Sequence, residues 1–355
     1  MKWYITRRLA WAVVATAFTM TVTFLLMYLV PNQQLQAAEF AAAQSGADNV
    51  TAVVEAEKER LGLDRPLHVQ WWDFMTNVFQ GDWGWSYQYQ QPVKKVIFES
   101  APYSLMYGAP AIILSTVIGA VIGLYSAVNQ YTKKDYAATF AAFFGISIPN
   151  FWFGIVLLVI FGGWLGWLPF GFEGEYAKAA DGSFAWRTSV TDEHLAFVGE
   201  SFEGERTVGI LSWRNIKQLI LPTFVVMTGA IASVMRFARA EALEYVDAEF
   251  VKTAKSKGVS THRIVARHVF RPASVPLMTI FVGRVLGLVL FGSYLVELVF
   301  GIPGIGLASF EAILSQDTDL VAITILIPTF LVIIGNLIED IMYVVLDPRI
   351  EFGDR

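Results

Sequence analysis

Residues able to carry covalent or metal chemistry are sparse in this chain. It contains no cysteine and four histidines, His68, His194, His262 and His268. Thiolate nucleophiles, disulfides and cysteine-based metal sites are therefore excluded. None of the histidines lies in an apolar run, so a buried histidine metal site is not expected, and there is no His-Glu-x-x-His pair. The stretch "GISIP" at residues 145–149 offers a Gly-x-Ser, as a membrane serine protease would. A serine nucleophile needs a base within hydrogen-bond reach. Each histidine falls in a loop, which leaves Ser147 with no evident base. No Gly-x-x-x-x-Gly-Lys-Ser/Thr phosphate loop is present, so the chain cannot hydrolyse ATP alone. We assign it no catalytic residue, no metal ligand and no bound cofactor.

The charge that exists is unevenly placed. Residues 244–272, "EYVDAEFVKTAKSKGVSTHRIVARHVFRP", are dense in both signs and lie between nearly pure apolar segments. Arg284 lies near the middle of one such segment. Of the 355 residues only 16% are charged and 55% are hydrophobic, whereas a soluble domain carries about 25% charged residues. That deficit marks a membrane protein. The net charge of −5 argues against a nucleic-acid partner.

Those charges must be positioned by apolar elements. A helix needs about 20 apolar residues to cross a bilayer. Six stretches qualify: 9–30, 105–128, 137–165 (broken by Pro149), 216–235, 273–300 and 320–346. Arg7 and Arg8 precede the first, as in a signal peptide. Its apolar run is too long for one, so it reads as a retained anchor. Lys and Arg in short flanking loops mark the cytoplasmic side. Lys2, Arg7, Arg8, Lys133, Lys134, Arg236, Arg239, the bases of residues 252–271 and Arg349 all fall on one side. Both termini and residues 244–272 are thus expected in the cytoplasm.

The expected fold is an all-α membrane protein of six transmembrane helices. Two long acid-rich segments, 31–102 and 170–215, would form an extracytoplasmic cap. Their acidity fits either an external loop exempt from the positive-inside bias or a high-salt habitat. The aromatic run "GDWGWSYQYQQPV" at residues 81–93 reads as an interfacial cap, with a sugar-binding platform as the alternative. The chain divides into an N-terminal helix with the first outer segment (1–102), a transmembrane domain (103–350) and a short tail (351–355). The transmembrane domain carries the outer loop 170–215 and a cytoplasmic loop 238–272.

Within that loop, residues 238–254 have a helical pattern. Leu243, Val246, Phe250 and Ala254 form one apolar stripe. Acids precede bases, which suits the helix dipole. Gly258 supplies a stop, and Ser260 is a candidate N-cap for a second short helix through His268. Two readings stand on physics alone: a handle that docks on a partner, or an amphipathic helix lying on anionic lipid. Arg284 at mid-span would cost about 2.5–3.5 kcal/mol if it faced lipid. It is a candidate to touch solute along a translocation path, or a structural partner of another polar group. Glu297, near the outer end of the same span, is the second path candidate. Gly119/Gly123 and Gly283/Gly287 have the spacing that lets helices approach closely.

The loop resembles the EAA loop of binding-protein-dependent ABC importer permeases, in their dipeptide/oligopeptide branch. That branch typically reads Tyr-Val-x-Thr-Ala-x-Ala-Lys-Gly, and this chain has "FVKTAKSKG", ending at Gly258. Lys252-Thr253-Ala254 stand where the broader family has Glu-Ala-Ala, and "RHVFRPASVP" replaces its Ile-x-Leu-Pro ending. Three more motifs are similar to the branch: "GDWGWS" with Gly81, Asp82 and Gly84; "ELVFGIPGIG" with Pro303 and Gly304; and "NLIEDIMYVVLDPRI" with Asp347, Pro348 and Arg349. The resemblance implies a type I importer permease in the plasma membrane, paired as a heterodimer with a second homologous permease. It implies two cytoplasmic ATPases, which carry the ATP and Mg, and an external binding protein that delivers solute. Its ATPase-coupling interface would comprise Glu249, Thr253, Ala254, Lys257, Gly258, Val259, Ser260, Arg263 and Ile264. The branch handles di- and oligopeptides, while close relatives carry nickel, glutathione or sugars.

A rival class is an ion-driven transporter with inverted repeats and midplane carboxylates. No span has a central Asp or Glu and no repeat is evident, although Pro149 and Pro328 are able to break helices. Transport by the pure chain in ATP-free vesicles would be its signature.

Overall fold

A computed structural model describes residues 2–46, 49–172, 175–178, 184–187, 207–208, 213–274, 277, 281 and 293–346. Lipid offers no water to backbone amides, so apolar sequence at membrane depth must satisfy itself as helix. The helices α1 (Lys2–Leu29) and α5 (Val93–Val128) do so with 28 and 36 residues. Helices α8 (Trp213–Val246) and α13 (Thr318–Leu346) have 34 and 29. At 1.5 Å per residue each is at least about 40 Å long, more than the roughly 30 Å of a hydrocarbon core.

Two further apolar segments are bent. Helix α6 (Lys133–Ser147) turns by 97° into α7 (Asn150–Leu157), which continues as a π turn to Trp164. Pro149 causes this break. It has no amide to donate, and it drives the residue before it out of the helical region; Ile148 is extended at ψ 127°. The second bend, 99°, joins α11 (Tyr294–Phe300) to α12 (Ile305–Leu314). The described residues thus hold four helices long and apolar enough to cross a membrane, or up to six spans if each bent pair is one. The expected fifth span, 273–300, falls largely outside the described residues. Its described end is one arm of a bent pair, and residues 305–314, outside every expected span, are helical. Among the described residues, two small antiparallel sheets accompany the helical fold: β1 (Trp85–Ser86) with β2 (Gln91–Pro92), and β3 (Glu175–Lys178), β4 (Phe184–Arg187) and β5 (Thr207–Val208) in that order.

The chain forms two compact units. The first comprises Met1–Ser100, Ala308–Val344 and Arg349–Arg355. It adds α2 (Gln33–Gln44), α3 (Val50–Arg60) and α4 (Leu67–Gln80) to α1 and α13. Its core gathers Met20, Met75, Val93, Val96, Leu320 and Leu326. The "GDWGWS" segment turns sharply here. Gly81 closes α4 in the left-handed region, and Asp82 Oδ1 accepts the Gly84 amide at 3.5 Å. The hairpin is then tied to α12 and to the residue just before α13. Ser86 Oγ and the Gln88 amide donate to Asp317 Oδ2 at 2.6 and 3.1 Å, and Tyr89 OH donates to Glu311 at 2.6 Å. Of the aromatics read as interfacial, Trp83 stacks on Phe98 and Trp85 is exposed.

The second unit comprises Ala101–Leu307 and Val345–Pro348. Tyr103, Tyr107, Leu157, Val225, Phe300 and Ile302 form its largest core. Helices α5 and α8 cross at Gly119 and Gly123. A Cβ at Gly123 would lie 2.6 Å from the Met235 carbonyl and 2.8 Å from Ala238 Cβ. These obstacles are mainly backbone and cannot swing aside. Gly123→Val is therefore expected to destabilise the purified chain by about 1–3 kcal/mol, as overpacking does, read as a lowered thermal midpoint in detergent. An unchanged midpoint would refute the close crossing.

Candidate docking surface

Helix α8 does not run on through the charged segment. It stops at Val246, and α9 (Glu249–Ser256) begins after an extended Ala248 with ψ 148°. The Val251 and Lys252 amides both turn back to the Ala248 carbonyl, at 2.9 and 3.1 Å. The expected single helix over 238–254 is thus corrected to two helices. The break also changes the phase of the apolar stripe. Val251 and Ala254 are buried, while Phe250, expected on the stripe, is 49% exposed. The buried pair joins Leu124 and Ala127 of α5, Ala242 of α8, Ile264 and Val269 in one cluster.

Gly258 ends α9 at φ 72°. The Val259 amide donates to the Ala254 carbonyl at 3.2 Å, and the Gly258 amide to Lys255 at 3.0 Å. These are the two bonds of a Schellman turn, which satisfies the last helical carbonyls and calls for a left-handed residue. Val259 packs against the cluster. Ser260 is extended and precedes α10 (Thr261–Ile264), but its side chain makes no capping bond. The helix expected through His268 passes into a π turn, Val265–Val269, and residues 270–274 are helical beyond it.

The segment therefore has two faces. Val251, Ala254, Ile264 and Val269 point inward. Glu249, Lys252, Thr253, Lys257, Gly258, Ser260 and Arg263 are exposed. Glu249 and Lys252 pair at 2.8 Å, an exposed contact of little energetic consequence. This surface has no buried acid, base or nucleophile. It can present shape, small residues and positive charge to another molecule.

Beneath it lies a polar cluster that the sequence reading did not find. Asp135, in the first turn of α6, is buried. Its carboxylate accepts the Ser126 hydroxyl, the Tyr131 amide at 3.0 Å and Arg239 Nη2 at 3.0 Å, and Arg239 Nε donates to Ser126 Oγ at 3.1 Å. An Asp just inside a helix is favoured by the dipole wherever it occurs, so its sequence context does not reveal a partner 104 residues away.

Glu297 is fully buried. Its Oε1 accepts Ser104 Oγ at 2.7 Å and Tyr107 OH at 2.8 Å, and its Oε2 accepts the Leu307 amide at 2.7 Å. The carboxylate expected along a path is thus engaged by the chain's own donors. It fixes the Pro303-Gly304 turn, where a Cβ on Gly304 would fall on Glu297 Oε1. Arg284 and Gly283/Gly287 lie outside the described residues, as do Asp347, Pro348 and Arg349. The Ser147 hydroxyl donates to the Phe143 carbonyl at 2.8 Å. Among the described residues no three His, Asp or Glu side chains are placed to hold a metal ion.

Residues 119–352 match the family described as "Binding-protein-dependent transport system inner membrane component", and residues 1–107 match its N-terminal companion. The chain is 32% identical over 295 residues to the oligopeptide transport system permease protein AppB of Bacillus subtilis, covering 83% of this chain and 84% of that protein. It is 30% identical over 351 residues to the oligopeptide permease OppB of Haemophilus influenzae, 98% of this chain and 99% of the relative. The di/tripeptide permease DppB of Pseudomonas aeruginosa is 31% identical over 354 residues, 98% of each chain.

The inward face is testable by itself. Ala254→Leu is expected to destabilise the chain by about 1–3 kcal/mol through overpacking. Phe250→Ala, outside the cluster, should stay within about 0.5 kcal/mol of the parent. Thermal unfolding of the two variants would show the reverse order if Phe250 belonged to the buried stripe.

Proposed function

The chain belongs to the family of binding-protein-dependent transport system inner membrane components, and we propose that it serves there as one of two membrane subunits of an ATP-driven peptide importer. In this reading it forms half of the solute pathway, beside a second homologous permease. An external binding protein delivers the solute against segments 31–102 and 170–215. Two ATPases, which carry the ATP and Mg, dock on the other side along residues 249–264. Both termini share that cytoplasmic side, as the placement of Lys and Arg suggests. The peptide class follows from what the relatives are named for. Arg284 is the remaining candidate to meet a solute carboxylate.

The observation that carries the docking role is the burial of the apolar face. A helix lying on lipid turns its apolar side outward into the bilayer surface. Here Val251, Ala254 and Ile264 are used up inside the chain, and Phe250 is the one large apolar side chain exposed between residues 249 and 264. The outward face is small, polar and basic, which suits a groove on another protein.

Gly258 separates the alternatives. Any side chain there bears the left-handed penalty of about 1–2 kcal/mol, and a Cβ would meet nothing within 4 Å of it in this chain. Gly258→Ala and Gly258→Trp should therefore insert and fold alike. In the assembled complex only Gly258→Trp should abolish solute-stimulated ATP hydrolysis, and Lys133→Ala should do little. Equal hydrolysis by the Ala and Trp variants would reject the docking role. Orientation has its own check: protease added to right-side-out vesicles should not cut at Lys255 or Lys257, and cleavage there would reverse the topology.

A further inference from the structure

The Ser126–Asp135–Arg239 cluster sits where the docking segment meets the membrane helices. Leu124 and Ala127 of α5 and Ala242 of α8 belong to the cluster that holds α9 and α10. Ser126 lies between the first two, and Arg239 is one helical turn before the third. The last turn of α5 and the adjoining turn of α8 thus present one side to the docking segment and another to the start of α6. On that second side the bonds converge on one carboxylate. Asp135 takes the Ser126 hydroxyl, the Tyr131 amide and the Arg239 guanidinium, and its side chain is 3% exposed. Tyr131 is held at φ 61°, left-handed for a non-glycine residue. Thr132 Oγ1 accepts the Asp135 amide at 3.4 Å at the start of α6.

Elsewhere α6 meets α8 without a buried ion pair, through apolar side chains and through the Arg236 guanidinium 5.9 Å from the centre of the Phe143 ring. Ala142 packs with Ala232 and Met235, and Gly145 lies under the Thr228 carbonyl. Shifting such contacts strands no charge. The Asp135–Arg239 pair differs, because drawing Arg239 away strands a carboxylate that is 3% exposed.

We propose that Asp135 and Arg239 are positioning residues that lock the start of α6 to α8, so that displacement of the docking segment moves α6 and its bent continuation as one body. The proposal rests on the docking role argued above. It assigns these residues no contact with solute or nucleotide. They act through the helices that they join.

The test uses the complete complex reconstituted in vesicles and three readouts: ATP hydrolysed per solute imported, cross-linking of Thr253→Cys to the ATPase, and thermal stability. Asp135→Asn keeps the shape of the side chain and removes its charge. Arg239→Lys keeps the charge and removes the two-pronged geometry. Both variants should retain the cross-link. Both should raise the ATP-to-solute ratio by about five-fold or more, the lower range of energetic coupling between sites, with the greater effect in Asp135→Asn. If Asp135→Asn fails to assemble, Arg239→Lys decides alone: a raised ratio with an intact cross-link supports the proposal, and an unchanged ratio overturns it. A ratio unchanged in assembled Asp135→Asn, or raised only in proportion to lost cross-linking or stability, also overturns it. Absence of the cross-link in the Thr253→Cys chain that carries no other change would instead overturn the docking role, and this proposal with it.

Discussion

Backbone that leaves the helix in an apolar setting must find its hydrogen bonds within the chain. Glu297 meets that demand at one of the sharpest bends. Between α11 and α12 the chain turns by 99°, and the amides beyond the turn have no helical acceptor. Glu297 Oε2 takes the Leu307 amide, and Ser104 Oγ takes the Ile305 amide at 2.9 Å. Ser104 and Tyr107 in turn donate to Glu297 Oε1, and the Tyr107 hydroxyl accepts the Ser293 amide at 2.9 Å. A buried carboxylate is tolerable only when so engaged. Here one side chain joins α5, α11 and the start of α12 in the second compact unit.

The docking segment solves the same problem with glycine and apolar contacts instead of a buried acid. Its helices are short, 8 and 4 residues, and isolated helices of that length are not stable in water. They persist because Val251, Ala254 and Ile264 close over the ends of α5 and α8, and because Gly258 permits the reversal between them. Anchoring from below leaves the upper face free of structural duty. In the proposed docking role, that division of labour would let a small, exposed segment transmit force without unfolding.

Much of this was legible in the sequence, for identifiable reasons. The long apolar runs could become little other than helices, and Pro149 had to interrupt one of them. Gly258 followed a helical pattern with no side chain to obstruct a left-handed turn. The break at residues 247–248 was not legible, because "EYVDAEF" holds neither glycine nor proline. The error then moved Phe250 onto a stripe that Val251 occupies, since a break resets helical phase. The Asp135–Arg239 pair and the bonds of Glu297 were hidden for another reason. Their partners are fixed by the packing of distant helices, and no local pattern encodes which carboxylate meets which donor. At Gly119 and Gly123 the spacing announced a close approach but not its partner, which proved to be α8 of the same chain.

The central claim is that residues 249–264 face a protein groove rather than a lipid surface. Amide hydrogen exchange across Lys252–Arg263 tests it most directly, measured on the chain in vesicles with and without its ATPase partner. The account predicts that these amides exchange at the same rates in vesicles of neutral and of anionic lipid and become more protected when the ATPase binds. Protection by anionic lipid alone, with no further change on adding the ATPase, would contradict it.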